Sequence, residues 1–536
     1  MNRNRYSMCT ALLATIMLML SACSSEQAAP AATDKGADAK GTTDTPQGAI
    51  YPFKKNVTVS YMTEFPGSEQ GFKEELKIEN SWQQTMEKRT GIKLNHRGGA
   101  KMNSQEFNLI LASGDLPDIW TNDWLNFPGG PEKAIELGYI MKLNDVIDKY
   151  APNLQKALKD NPEMAKSIRT DTGAYYAFPF YRSPEAQIYG GPIIRKDWLD
   201  ELSLPVPATM DEWYTVLKTF KEKKGVSAPF TLRTMFWERT SAFQGAYGVM
   251  NGFYQENGKV VFGNIQPGYK QFLTTMHKWY AEGLLDKDFA SIDAKTVDKK
   301  MTTNASGATV GWTNGYIDKY MDALKATEPK VELVGTTYPT LEKGQRPKFG
   351  QMDNAYFGCC SGAISGNSKN VEAAARWLDY NYSKEGQMLN MFGIEGLTYT
   401  LENGQIKYTD LITKNPEGKT PFAALSGIAR ITNHPFMQVG PEPATVKQAA
   451  DAVKLWQNTD HAKYLLPPIT QLPEESKEIA KILNEVNVLV KESEIKFILG
   501  DKPLDEFDAY VGQLKKLGVD KAVELKQKAL ERYQKR

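Results

Sequence analysis

Strands and helices alternate at the start of the folded part of this 536-residue chain, and no other sequence feature narrows its fold as much. Val57 to Met62 reads as a buried strand after Lys54-Lys55-Asn56. A helical stretch is expected near 71–89, a second strand from Ile92 to His96, a helix from Ser104 to Ala112, and a third strand over Asp118-Ile119-Trp120-Thr121. Strands joined through helices run parallel and need helix on their faces, so the fold class is α/β. Open sheets of this kind hold small molecules beyond the carboxyl ends of their strands. That rule places Thr63-Glu64 and the run Trp120 to Trp124 on a ligand rim.

Upstream of this region the chain is of two kinds. Arg3 and Arg5 precede an apolar run from Met8 to Leu20, short for a membrane span and ended by small residues. This favours a cleaved export signal over residues 1–22. Leu20-Ser21-Ala22-Cys23 matches the lipobox of bacterial lipoproteins, so Cys23 is expected to carry the lipid that holds the mature chain at a membrane surface. Residues 24–50 have no aromatic residue and no large aliphatic one before Ile50, too little apolar surface to fold. Residues 23–50 therefore read as a lipidated disordered tether, with an average reach of roughly 30 Å.

Loss of residues 1–22 removes two arginines and no acids, which takes the formal charge from +1 to −1. A nearly neutral chain offers no global case for nucleic acid. Cys9 leaves with the signal and Cys23 is lipidated, so only the adjacent pair Cys359 and Cys360 remains. A ring between neighbouring cysteines is strained, and two buried thiols are expected. The four histidines, His96, His277, His434 and His461, are scattered without metal-ligand spacing, and no metal and no cofactor are expected.

The stretch after residue 50 exceeds the usual size of one hydrophobic core, so two lobes are expected. In the second region Thr209 and Glu212 form a capping box, Trp213, Val216, Leu217 and Phe220 recur at helical spacing, and Gly225 ends the helix. Further helices are expected at 267–283 and 315–325, with strands near 308–312 and 331–337. Asn354 to Ser365, rich in small residues, suits a segment crossing between lobes. A helix from Asn370 to Phe392 follows, stopped by Gly393, and then helices at 443–457, 473–499 and 504–534. Ile479, Ile482, Leu483, Val486, Leu489 and Val490 make an apolar stripe for core packing.

Three stretches bring a family into view. They are Ile194-Arg195-Lys196-Asp197-Trp198-Leu199 with Pro205 to Thr209; Ala373 to Tyr380, Ser383-Lys384-Glu385-Gly386 and Gly393 to Tyr399; and the tail from Phe497-Ile498-Leu499-Gly500 to Tyr533. Together they resemble the large extracellular solute-binding lipoproteins of carbohydrate ABC importers in sporulating Gram-positive bacteria. The resemblance implies a two-lobed periplasmic-binding-protein-like fold with crossing hinge segments, to which the sequence adds a helical C-terminal region. The approximate lobes are 51–190 with 355–430, and 191–354 with 431–536. The resemblance also implies an oligosaccharide ligand in the interlobe cleft, ABC permease subunits and their ATPase as partners, and no catalytic residue. Some relatives carry an acidic calcium loop where this chain reads Lys221 to Ser227 with a single carboxylate, so calcium is not carried over.

Sugars present an apolar face edged by hydroxyls and need aromatic platforms beside groups that donate and accept hydrogen bonds. Trp120, Asn122 and Trp124 supply both at a strand end, and Trp312 with Asn314 repeats the grouping between Gly311 and Gly315. Trp237 and Arg239 lie in an irregular stretch, Tyr181 and Arg182 follow a strand from Tyr175 to Phe180, and Asp353 sits at a later crossing. Glu64 completes the set. Glu395 and Tyr399 are expected to pack a turn, and Trp198, Trp213, Trp279 and Trp377 to lie in the core. An acidic oligosaccharide would want several basic groups, for which Arg182 and Arg239 are the candidates.

A peptide or other small solute on the same scaffold is the alternative ligand, since fold does not fix ligand. A secreted polysaccharide hydrolase or lyase is less favoured, because no nucleophile elbow, zinc-ligand spacing or phosphate loop is present. The expected protein is a monomer at the outer face of the cell membrane, anchored by its lipid.

Overall fold

The computed structural model describes residues 51–54, 56–63, 79–97, 104–356, 358–417, 421–426, 428–430, 434–440 and 446–536. All belong to one compact unit, Pro46–Arg536. The expected signal and tether at 1–50, and Glu64, lie outside the described residues.

Within that unit, buried apolar side chains divide into two main cores, each built on its own sheet. The first holds β1 (Val57–Thr63), β2 (Ile92–Arg97), β3 (Ile119–Thr121) and β10 (Gly362–Ile364) in the order β10-β3-β1-β2. β1 runs parallel to β2 and β3, as helical crossovers require, and β10 closes the edge antiparallel to β3. The helix Trp82–Thr90 begins where the Ser81 hydroxyl accepts the Gln84 N–H and ends at left-handed Gly91. A side chain at Gly91 would come within 2.7 Å of the Phe53 carbonyl, so the close approach of these segments needs glycine. Residues 71–78 of the expected helix lie outside the described residues.

The second core is built on the antiparallel sheet β8-β5-β9, with β5 at Gly190–Arg195, β8 at Ala308–Trp312 and β9 at Leu333–Gly335. The Thr209–Glu212 capping box is formed, and its helix, Met210–Lys224, buries Trp213, Val216, Leu217 and Phe220 and stops at left-handed Gly225. Trp198, Trp213 and Trp279 are buried in this core and Trp377 in the first. Of the C-terminal stripe, Ile479, Val486 and Val490 are buried, and Ile482, Leu483 and Leu489 pack against the second core. Two-residue strands β4 (Tyr181–Arg182) and β13 (Met437–Gln438) pair with each other, their Tyr181 and Met437 packed on the first core, and β6/β7 (Phe253–Glu256, Lys259–Phe262) and β11/β12 (Tyr399–Glu402, Gln405–Tyr408) are hairpins. Cys360 is fully buried, and the side chain of Cys359 lies outside the described residues. Among the described residues no helix is long and apolar enough to cross a membrane.

Several elements differ from the sequence expectation. The helix expected from Asn370 to Phe392 is two, Val371–Tyr380 and Lys384–Phe392. Ser383 starts the second by accepting the Gly386 N–H at 3.0 Å, while Asn370 donates its amide to Asp118 and makes no side-chain cap bond. The expected 504–534 helix breaks into Phe507–Lys516 and Val519–Gln534 at Gly518, whose φ is 97°. Tyr175 to Phe180 forms only isolated bridges, Arg169↔Tyr175 and Phe178↔Gly362, consistent with Pro179 removing a ladder donor. The segment around Trp237 is helical, Thr234–Thr240, rather than irregular.

Candidate functional site

Among the described residues the chain leaves the first core after Tyr181 and enters the second at Ile188, and returns between Met352 and Tyr356; further on, Met437 packs on the first core and Val446 on the second. These passages are hydrogen-bonded side by side. β4 pairs in parallel with β13, the Arg182 N–H donates to the Ala355 carbonyl at 2.8 Å, and the Asp353 N–H donates to the Gln187 carbonyl at 3.1 Å.

A polar cluster is built on this bundle. Asp353 Oδ2 accepts from Arg182 Nη1 at 2.8 Å, from the Tyr189 hydroxyl at 2.5 Å and from Arg239 Nη2 at 3.3 Å. Arg239 Nη2 also donates to the Tyr189 hydroxyl at 2.9 Å. Burial pushes the Tyr189 phenol up and the Asp353 carboxylate adds to that, so the hydroxyl keeps its proton and donates it. Buried Gln351 fixes the backbone beneath: its Oε1 accepts the Tyr189 N–H at 2.7 Å and the Gly190 N–H at 3.2 Å. Its amide donates to the Gln187 carbonyl at 3.0 Å.

Trp312 supplies the apolar surface. It ends β8 opposite Gly190. A side chain at 190 would come within 2.3 Å of the indole, so glycine lets the ring lie against the backbone. Tyr189 and Phe236 flank the ring at centroid distances of 5.1 and 4.7 Å, and the Arg239 guanidinium sits 5.1 Å from its centroid. The Trp312 ring stays half-buried, and the Arg239 side chain is 37% exposed. A half-open aromatic face beside a guanidinium, a phenol and a carboxylate can hold a ligand that has an apolar face and polar edges.

The structure thus brings Arg182, Arg239, Trp312 and Asp353 together and does not bring Trp120, Trp124 or Trp237 to them. Trp120 and Trp124 are fully buried in the first core, 4.8 Å apart, with Phe107 and Phe127 around them. Trp237 is fully buried against Phe272 and Phe289. It stands two residues before Arg239 on one helix, about 200° around the axis, so the two cannot face the same way. These three rings are core packing, not open platforms. Asn122 is half-buried just past β3, its N–H donating to the Ser361 carbonyl at 3.4 Å. Tyr181 is half-buried and packs on the first core. Asn314 lies in the π-helical turn Thr313–Ile317 after β8, with its side chain outside the described residues. Tyr189 was not singled out from sequence, although Gly190-Gly191 beside it signals a close backbone approach where such a ring would be held.

Residues 61–388 match the family model described as bacterial extracellular solute-binding protein. The fructooligosaccharide ABC transporter substrate-binding protein FusA of Streptococcus pneumoniae serotype 4 (strain ATCC BAA-334 / TIGR4) is 24% identical over 559 aligned residues, 99% of this chain and 98% of that protein. The polygalacturonan/rhamnogalacturonan-binding protein YtcQ of Bacillus subtilis (strain 168) is 31% identical over 229 residues, 40% of this chain and 42% of that protein. Among solved structures, alginate-binding protein AlgQ2 without calcium ion superposes with a TM-score of 0.74 and 25% identity, covering 90% of this chain and 100% of that one. With the family model spanning more than half its length and two α/β lobes joined by these crossings, the chain belongs to the bacterial extracellular solute-binding protein family.

Proposed function

We propose that this protein is the substrate-binding lipoprotein of a carbohydrate ABC importer, capturing an oligosaccharide between its lobes and delivering it to the permease. The observation that carries the reading is the half-open Trp312 ring set beside Arg239, Tyr189 and Asp353 where the crossing segments meet. An aromatic face with donors and acceptors at its edge is what a sugar ring requires. The relatives support it: one is called a fructooligosaccharide ABC transporter substrate-binding protein, one a polygalacturonan/rhamnogalacturonan-binding protein, and one an alginate-binding protein.

The two cores and the crossings support two lobes near 51–190 with 355–430 and 191–354 with 431–536, except that the last boundary falls beyond Met437, which packs on the first core. Ligand contacts made with both lobes favour the closed form by their differential affinity. No chemistry is assigned to the site. Asp353 is held by two guanidiniums and a phenol, an arrangement for holding charge and not for passing a proton. A lipid on Cys23 and a tether to residue 50 would keep the receptor near its permease and raise their effective concentration without tight binding.

Thermal-shift measurements on the purified protein in detergent, against panels of oligosaccharides and peptides, test the reading. Binding raises the melting temperature by mass action, so sugars are expected to raise it and peptides to leave it unchanged. A shift with a peptide pool and none with sugars overturns the carbohydrate assignment. Shortening of the sugar during incubation would establish a hydrolase.

A further inference from the structure

We infer that the site selects an acidic oligosaccharide, with the carboxylate of a hexuronate residue taken by Arg239 above the Trp312 face. This rests on the carbohydrate reading given above and adds the charge of the ligand to it.

Charge at the cluster does not balance. Two guanidiniums, Arg182 and Arg239, converge on the single carboxylate of Asp353, and the third partner, Tyr189, is neutral. The two cations are not equivalent. Arg182 is 5% exposed, bonds Asp353 at 2.8 Å and stacks between Phe180 and Tyr189. That close pair balances the Asp353 charge with Arg182, and Tyr189 adds a neutral donor. Arg239 makes longer contacts to the same carboxylate, 3.3 and 3.5 Å, all through Nη2. Among the described residues its Nε and Nη1 have no protein partner. A cation that is weakly answered, half-open and carrying free donors is poised for a second anion.

Geometry favours a carboxylate on a ring. The guanidinium is planar and forks onto carboxylates. It lies over the Trp312 ring, so an anion bridging its free edge would carry its pyranose along the same aromatic face. The aromatic floor of Trp312 and Phe236 excludes water on that side, which strengthens the ion pair relative to one in open solvent. At the start of the same short helix, Arg233 lies 5.9 Å from the Phe236 ring centroid and adds a further positive group, its charge partly answered by Asp293.

The test is isothermal titration calorimetry on the purified protein in detergent. Its probes are trimers and tetramers of galacturonate, mannuronate and glucuronate, each paired with its methyl-ester form, which keeps the skeleton and loses the charge. The free acids of at least one series are expected to bind roughly tenfold or more tightly than their esters. That preference should shrink as salt is raised. Arg239→Gln should abolish the preference, weakening the free acid roughly tenfold more than the ester, and Arg239→Lys should restore part of it. Equal binding of acid and ester, or an Arg239→Gln loss that is the same for both, overturns the inference and leaves a receptor for neutral sugars. If no sugar of either kind binds and the peptide pool does, the carbohydrate reading itself has failed.

Discussion

Trp312 ends β8 with its ring half-open beside Arg239, whereas Trp120, near the end of β3, is enclosed by Phe107 and Trp124. Trp312→Ala is therefore expected to weaken ligand binding by about 2 kcal/mol, as removal of a central aromatic anchor does. Trp120→Ala should act on folding instead. Emptying a full indole volume in a packed core costs about 3–5 kcal/mol, readable as a lower urea midpoint. A Trp120→Ala protein that folds normally but loses its ligand would contradict this division. From sequence the two tryptophans look alike, since both sit at strand ends among polar residues. What separates them is the cover supplied by distant segments: Phe107 closes over Trp120, while Gly190 gives Trp312 a seat on the backbone without a lid. Arg182 and Asp353 were singled out because they sit at crossings, and Arg239 because an arginine in a polar stretch can fork onto hydroxyls or an acid. Their joint use of Tyr189 depends on Gln351 and was not legible.

Elements with a chemical start and stop are the ones a sequence displays. The Met210–Lys224 helix has its capping box and its glycine, and both ends follow from them. Thr234–Thr240 has no side-chain cap and runs for only seven residues, too short for a helical period to emerge. Burial of ionisable groups is equally hidden. Glu494, on the helix Pro473–Leu499, is bonded by the Tyr269 hydroxyl from the helix Pro267–Ala281, and burial pushes its carboxyl up to about 7. Burial likewise pushes Asp379, on Val371–Tyr380, up to about 7 against its bonds from Leu154 and Asn153. Unfolded carboxyls ionise near pH 4. Between there and pH 7 the folded state holds the extra protons, so these two groups make stability fall as pH rises to about 7 and stay flat above. The slope is at most about 1.4 kcal/mol per pH unit per group. Buried His96 and His461, pushed down to about 3 and about 4 by burial, act in the opposite sense below neutrality. The difference between wild type and Glu494→Gln isolates the carboxyl. Urea unfolding at pH 5, 6 and 7 should show the variant gaining on the wild type as pH rises, and parallel curves would contradict the assignment.

At the scale of the whole molecule, the crossings are not the only link between the cores. Arg532 and Arg536, on and just past the helix Val519–Gln534, reach Asp171 at 2.7 and 2.6 Å, and Arg532 also binds Glu475. Asp171 follows Ile168 of the first core, and the helix begins with Val519 of the second. The pairs are mostly buried, so Asp171→Asn leaves Arg536 without its carboxylate while Arg532 keeps Glu475, and should cost roughly 2 kcal/mol, less than stranding a fully buried pair. Added salt should not mimic the loss, since buried pairs are weakly screened. None of this was legible beforehand, because it joins residues some 360 positions apart. The size of the chain announced two lobes, but not where they touch. Small-angle scattering with and without a saturating oligosaccharide bears on capture by closure most directly. The radius of gyration is expected to fall when the sugar binds; sugar binding at an unchanged radius would contradict closure as the means of capture.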